Sequence, residues 1–353
     1  MMKKYKVLGI MSGTSMDGID YALCEFVKND DSWECKISAA ETIPYSNEWE
    51  KKLGNCHNLS GYELLKLDME YGYYIGENAK NFLKRNGLKA DFISSHGHTV
   101  FHNHKEKVTF QIGNGAAIAS ASSLTTVCNF RILDVALHGQ GAPLVPVGDA
   151  ILFSDYDYCL NLGGFANISF LWYKKRVAFD ICPVNIAINN LSRQLGKGFD
   201  EDGNIGRQGK VDMPLLKALN SLPFYKELNP KSLSREWTEE FFFPLFNHDH
   251  LSIHDKIRTL YEHIAFQISR ILTGKSSKKI LITGGGAHNK FLIELIKSKT
   301  NMKITIPDKQ IINFKEALIF AFLGILRMRN EYNCLSSVTG SRHDNIGGVI
   351  YRV

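Results

Sequence analysis

The chain has 353 residues, 44% hydrophobic and 22% charged, an ordinary globular composition that exceeds the usual size of one core and suits about two domains. No stretch approaches the roughly 20 apolar residues that cross a bilayer, and the basic start Met1-Met2-Lys3-Lys4-Tyr5-Lys6 leads into an apolar run too short for a signal peptide, so a soluble cytoplasmic protein with no membrane partner is expected. A net charge of +6, with lysine clusters at 275–279 and 297–299 beside apolar patterns, describes solvated faces rather than a nucleic-acid site; seven cysteines without a Cys-x-x-Cys pair exclude a disulfide framework and a zinc knuckle.

The first informative element joins two strand-like runs, Val7-Leu8-Gly9-Ile10 and Tyr21-Ala22-Leu23-Cys24-Glu25-Phe26. Between them lies Met11-Ser12-Gly13-Thr14-Ser15-Met16-Asp17-Gly18-Ile19-Asp20, a turn of glycine, hydroxyl and carboxylate. Gly13 and Gly18 let main-chain N–H groups approach an anion, and Thr14 and Ser15 add donors. Asp17 and Asp20 would repel a bare phosphate, which points to a hard cation such as Mg2+ held partly through water between carboxylate and phosphate. A plain polar hairpin turn is the alternative.

Further along, helical periodicity marks 48–54, 61–86, 111–122, 184–196, 212–220, 251–273, 288–299 and 314–331. Short apolar runs with strand character separate them at 92–95, 125–128, 158–162, 177–179, 279–283 and 303–306. The fold class is therefore α/β. The segment Cys159-Leu160-Asn161-Leu162-Gly163-Gly164-Phe165-Ala166-Asn167-Ile168 repeats the opening scheme of strand, glycine turn and returning strand, followed by a third strand expected to end at Asp180. Such an echo suggests two similar lobes. A third glycine site, Gly284-Gly285-Gly286, lies between a buried-type strand and a helix, where backbone can approach a flat ligand such as a nucleoside. Two other motifs fail: Gly203 to Val211 has the wrong spacing for a P-loop, and Ile205 stands where a calcium loop needs glycine.

Two glycine hairpins, the triple glycine and an aspartate after a strand of the second half together resemble the sugar kinase, Hsp70 and actin superfamily. That resemblance implies a two-lobed ribonuclease H-like fold with duplicated mixed sheets around a cleft, divided as 1–133 plus 338–353 and 134–337. The ordered set Met11 to Asp20, His96-Gly97-His98-Thr99-Val100-Phe101-His102, Gly139 to Pro146, Asn161 to Asn167, Gly284 to Gly286 and Ser337 to Gly340 is similar to that of the anhydro-N-acetylmuramic acid kinase family. The resemblance implies ATP as phosphoryl donor, with Mg2+ at Asp17 or Asp20, and a homodimer. It also implies a coupled reaction: water opens the 1,6-anhydro bridge at C1 while O6 takes the γ-phosphoryl group, giving N-acetylmuramic acid 6-phosphate.

In that family frame Gly13 to Asp20, Gly163, Gly164 and Gly284 to Gly286 hold the nucleotide. Asp180 matches the general base; read from the residues alone, base and cap of the helix beginning near Val184 stand level. Glu316 matches a carboxylate near the sugar, with a helix first-turn residue as the plain alternative. Arg131 could fork onto the lactyl carboxylate, or form a surface salt bridge with no such role. His96, Thr99 and Asn185 are expected at the sugar, and a zinc site among His96, His98, His102 and His104 is the lesser reading.

Departures from the family pattern surround the base. Ile181-Cys182-Pro183-Val184-Asn185 replaces Thr-Gly-Pro-Gly-Asn, so either the turn differs or the glycine replaced by Val184 was not conformationally required. His138 stands at a glycine position, and Asn313-Phe314 replaces an acidic pair. A kinase of a related amino sugar, and a nucleotide-gated sugar sensor without turnover, are the competing functions.

Overall fold

A computed structural model describes residues 3–353 apart from 14, 15, 31, 248, 249 and 275. The chain divides into two compact units, residues 1–153 with 314–353, and residues 154–313.

The first unit is built on a six-stranded sheet of order β13-β7-β4-β1-β2-β3. Its strands are β1 (Lys3–Ser12), β2 (Gly18–Lys28), β3 (Trp33–Pro44), β4 (Phe92–Ser95), β7 (Thr126–Cys128) and β13 (Val349–Tyr351), while β5 (His98–Asn103) and β6 (Val108–Ile112) form a separate ribbon. Strands β1, β2 and β3 run as an antiparallel meander, and β4 and β7 add parallel to β1. Val7, Leu8 and Ile10 are all at most 1% exposed, because β1 is covered on both faces, which is why its sequence reads as a continuous apolar run.

Helices α1 (Asn47–Gly54), α2 (Gly61–Arg85), α3 (Gly115–Ser122), α4 (Ile132–Ala136), α5 (Val145–Leu152) and α13 (Ser336–Thr339) complete this unit with most of α12 (Lys309–Met328). Leu8 and Ile10 pack into one core with Leu64, Leu67, Tyr71 and Ile75 of α2. Gly9, between them, faces α12: a Cβ there would lie 2.0 Å from the Ala317 carbonyl oxygen. Helical dihedrals in α12 break at Phe314 (φ −118°, ψ 15°), the residue at which the chain passes between units.

The second unit carries five strands, β8 (Tyr158–Leu162), β9 (Phe165–Trp172), β10 (Lys175–Pro183), β11 (Lys279–Thr283) and β12 (Lys303–Thr305), in the order β10-β9-β8-β11-β12. Again three antiparallel strands are followed by two parallel ones. Numbered by chain order within each sheet, the second reads 3-2-1-4-5 and the first 3-2-1-4-5-6, so the same five-strand order occurs twice, with β13 added antiparallel at the edge of the first, as the resemblance led one to expect. Around this sheet lie α6 (Asn185–Arg193), α7 (Asn204–Gln208), α8 (Met213–Asn220), α9 (Arg235–Trp237), α10 (Ile253–Ile271) and α11 (Lys290–Ser298). One core joins Leu160, Leu162, Ile168 and Ile282 of the sheet to Ile188 and Leu191 of α6 and Leu260, Ile264 and Ile268 of α10.

The units place 134–153 and 314–337 with the first sheet, whereas the sequence division put them in the second lobe. Packing gives the reason: the buried ion pair of Lys315 with Asp149, at 2.7 Å, and the approach of Gly148 to Ile319 tie α5 and α12 together, and α12 lies on Gly9. Residues 111 and 112, read as helical, close the β5–β6 ribbon instead, and α3 begins after Asn114, whose side chain caps it.

A side chain at position 9 has no room unless α12 moves. Gly9→Ala is expected to lower unfolding stability by about 2–3 kcal/mol in urea titration, with Gly54→Ala, where a Cβ meets only Met16 Sδ at 3.8 Å, as the tolerated control.

Candidate active site

In the second unit, β8 and β11 are parallel neighbours in register, Ile282 opposite Leu160 and Thr283 opposite Asn161. Their C-terminal turns therefore emerge side by side, the place where open α/β sheets bind ligands. A Cβ on Gly284, which has φ +81°, would lie 2.5 Å from Asn161 Oδ1, and one on Gly286 would lie 2.8 Å from Leu162 Cβ. Only glycine allows this approach, and the reward is two backbone turns in contact. Gly164 has open space where a side chain would be. The hairpin also caps α6: Gly164 O accepts from Val184 N at 2.8 Å and Ile186 N at 3.2 Å, and Gly163 O accepts from Asn185 N at 3.2 Å. Asn185 donates its side-chain amide to Leu162 O at 3.1 Å, so it braces the glycine turns, and no sugar-facing role follows from its position.

Asp180 does not end its strand: β10 continues to Pro183 across a bulge between Asp180 and Cys182. Nor does it cap α6, whose N-cap is Val184 with no side-chain bond. Its backbone N–H donates to Lys231 O at 2.9 Å, and its Oδ2 accepts Leu233 N–H at 2.8 Å. Burial raises the Asp180 carboxyl to about 6, with the Leu233 N–H opposing. That is the range in which a carboxylate accepts a proton at neutral pH and still holds it long enough to matter. Val184 takes φ −125° and ψ −98°, so a glycine here is not required for positive φ.

In the first unit the turn after β1 is described except for Thr14 and Ser15, which lie outside the described residues. Met16 has φ +56°, Asp17 is exposed, and Gly18 and Ile19 are buried at the start of β2. Asp20 is part-buried and accepts the Thr42 hydroxyl at 2.5 Å. Burial pushes its carboxyl up to about 6; the Thr42 bond opposes this, and the charges of Asp17 and Glu316 add to it. Just before the turn, Ser12 Oγ lies 2.7 Å from Tyr45 Oη and 3.1 Å from His98 Nδ1. Tyr45 in turn meets Tyr71 Oη at 2.5 Å, so one buried polar chain fixes the end of β1 against α2 and β5.

Arg131 donates from Nε and Nη2 to His96 Nε2, at 2.9 and 2.8 Å, and from Nη1 to Gly141 O at 2.7 Å. Because arginine has no acceptor, His96 Nε2 must carry a lone pair and Nδ1 the proton, which meets Gly97 O at 2.8 Å. Burial and the Arg131 charge hold His96 well below the usual histidine pKa, so it stays neutral. The guanidinium is therefore oriented by His96, and part of its fork is already engaged. Glu316 lies in the first turn beyond the break at Phe314. Burial raises its pKa, while the Arg131 and Lys315 cations oppose. Thr99 is half-buried in β5, opposite Gln111.

Asp134 is structural. Its carboxylate accepts Gly141 N–H and Thr339 Oγ1 at 2.8 Å, Asn345 Nδ2 at 2.9 Å and Cys334 Sγ at 3.0 Å. Burial alone would raise its pKa, but these donors outweigh it and hold the group low. The Gly139 and Ser337 motifs thus meet at one buried carboxylate.

The description "Anhydro-N-acetylmuramic acid kinase" belongs to a family profile that matches residues 5–353. The chain belongs to the anhydro-N-acetylmuramic acid kinase family. It is accordingly a kinase, a phosphotransferase with an alcohol group as acceptor. A family member from Sulfurovum sp. is 33% identical over 99% of this chain and 100% of its own, and one from Microcystis aeruginosa is 34% identical over 98% and 100%. Both carry the family's name. Among solved structures, an activator of the 2-hydroxyisocaproyl-CoA dehydratase from Clostridium difficile with bound ADPNP covers 94% of this chain and 97% of its own at 12% identity and a TM-score of 0.41, too distant a likeness to bear on the site.

The second unit brings Gly163, Gly164, Gly284, Gly285, Gly286 and Asn185 together, and the first gathers Asp17, Asp20 and Glu316 within electrostatic reach, with Arg131 beside His96. Sequence reading missed Thr42, Leu233 and the Lys315–Asp149 pair. None belongs to a motif, and each reaches its partner only through tertiary packing.

Linkage fixes the sign of one test. With a native pKa near 6 against an ordinary 3.8, the folded state binds a proton that the unfolded chain has lost, so the Asp180 contribution to stability falls as pH rises from 3.8 to 6. Asp180→Asn is expected to raise stability at pH 7 by on the order of 1 kcal/mol, discounted for partial exposure, with the gain gone by pH 3.5. Calorimetric melting at the two pH values checks this.

Proposed function

We propose that this kinase hydrolytically opens 1,6-anhydro-N-acetylmuramic acid and phosphorylates its O6, giving N-acetylmuramic acid 6-phosphate, a step of cell-wall recycling, with ATP as donor. The observation that carries the reading is Asp180, a carboxylate raised to about 6 and aimed by a backbone N–H, in a family whose named substrate has no free 6-hydroxyl. A direct sugar kinase deprotonates a hydroxyl. An anhydro sugar needs water deprotonated instead.

Asp180 takes a proton from water as the water oxygen bonds to C1. The C1–O6 bond breaks, and its electron pair stays on O6, which bonds to the γ-phosphorus of ATP as the bond to the β–γ bridging oxygen breaks and ADP leaves. Glu316, close enough to Arg131 to feel its charge, is suited to hold sugar hydroxyls. Arg131, oriented by His96, offers its remaining N–H donors to the lactyl carboxylate. His96 and Thr99 complete the sugar side, and Asn185 acts through the glycine turns.

The nucleotide fits the donor set. Gly164 has open space where a side chain would be, and the Gly284 turn packs against Asn161 and Leu162 just before it closely enough to exclude any Cβ. Magnesium fits Asp17 and Asp20: two carboxylates with phosphate oxygens and water would suffice for it, and burial, with the charges of Asp17 and Glu316 adding to it against the Thr42 hydroxyl, raises the Asp20 carboxyl, a penalty that a bound cation would relieve. When bound, Mg2+ supplies positive charge to the phosphate oxygens. A cytoplasmic homodimer accompanies this reading.

Incubation with ATP, magnesium and the anhydro sugar is expected to release ADP and a 6-phosphosugar in equal amounts. Asp180→Asn lowers kcat by ~10^2 to 10^4 with KM for ATP within about two-fold; retention of most of the wild-type rate would falsify the base assignment. Arg131→Ala, which also leaves His96 without its donor, raises the sugar KM by roughly ten-fold on losing a charge-assisted pair.

A further inference from the structure

Within the second unit, a cavity of about 420 Å3 opens beside β10, lined among others by Asp180, Asn220, Lys231, Gln267 and Arg270. Its chemistry follows from hydrogen-bond directions. Arg270 has donors only, and its Nη1 meets Gln267 Oε1 at 3.4 Å. That orients the Gln267 amide, whose Nε2 donates to Asn220 Oδ1 at 2.8 Å. His263 Nδ1 lies 2.7 Å from the same oxygen and so must be the protonated nitrogen, leaving Nε2 to accept the Tyr225 hydroxyl at 2.8 Å. Burial pushes the His263 pKa down to about 3, in keeping with a single ring proton. With its oxygen taken twice, Asn220 is left with two amide N–H donors on the cavity wall.

Charge points the same way. Lys226, Lys231 and Arg270 line the cavity against two carboxylates, Glu227 and Asp180, so cations are in excess. Lys231 is held by Phe224 O at 2.7 Å and over the Phe224 ring at 4.3 Å; burial lowers its pKa, the Glu227 charge opposes this, and the Arg270 charge adds to the fall. Like charges kept near each other across a wall of spare donors favour an anion that bridges them.

We infer that this cavity binds a small phosphate-bearing anion, either free phosphate or a sugar phosphate that the volume also admits. It backs onto the candidate base. Lys231 accepts the Asp180 N–H through its carbonyl, and Leu233, two residues on, donates to the Asp180 carboxylate. An occupant that orders Lys231 therefore steadies the segment that aims Asp180.

Isothermal titration of the full chain with inorganic phosphate, and separately with glucose 6-phosphate, tests the site, the glycine turns being filled beforehand with magnesium AMP-PNP. Saturable binding of either probe is expected, weakened at least ten-fold by Arg270→Gln and by Lys231→Gln but retained in Asp180→Asn. Response to both probes identifies the phosphate group as the ligand, and response to glucose 6-phosphate alone identifies a phosphosugar; either supports the site. Both replaced side chains reach solvent, and matching melting curves show that the variants fold. No saturable heat from either probe, or binding that neither substitution moves, overturns the inference. The readout is binding, so it stands apart from whether the anhydro sugar is turned over.

Discussion

Two parallel strands of the second unit end together, Asn161 beside Thr283, and the glycine turns that follow can touch only because Gly284 and Gly286 lack a Cβ. That contact is the constraint from which the arrangement of the second unit's glycine turns follows. It leaves the Gly163–Gly164 carbonyls aimed at the N-terminus of α6. It fixes Asn185 against Leu162, and it sets where β10 must turn. A larger residue at 284 would separate the turns, and α6 would lose the carbonyls that start it.

The carboxylates proposed for chemistry are those the fold leaves short of compensation. Asp134 has four donors and is held low, whereas Asp180 has the Leu233 N–H and Asp20 the Thr42 hydroxyl, and both rise to about 6. Burial is common to all three; the number of donors separates the carboxylate held low from the two that are raised. Similarly, His96 and Arg131 form one device in which the histidine must be neutral for the guanidinium to be oriented. Lys315, next in sequence to Glu316, pairs with Asp149 of α5 and anchors α12 where that glutamate begins its turn.

Much of this was legible in the chain. Continuous apolar runs marked β1, β8 and β11, glycine punctuation marked the turns, and the repeat of strand, turn and strand foretold the duplicated sheet. What was not legible depended on partners distant in sequence. Asp180 looked like a strand end because Pro183 follows closely, yet the strand passes through a bulge. The ribbon at 98–112 was hidden because it breaks the inside-apolar pattern, with Phe101 and Val108 exposed and His98 and Thr109 buried, and its end at 111–112 ran into the alanine-rich α3. The unit boundary was misplaced because the pairing of Lys315 with Asp149, and of Gly9 with α12, has no local signature. Val184, which looked incompatible with a glycine position, is accommodated at negative φ.

The central claim is that Asp180 activates water rather than a sugar hydroxyl. Running the reaction in oxygen-18 water and locating the label by mass spectrometry of the dephosphorylated and intact product decides it. The account predicts one solvent oxygen at C1 of the sugar and none in the transferred phosphoryl group. Product with no solvent oxygen at C1 in freshly quenched samples, or label in the phosphoryl group, would contradict it.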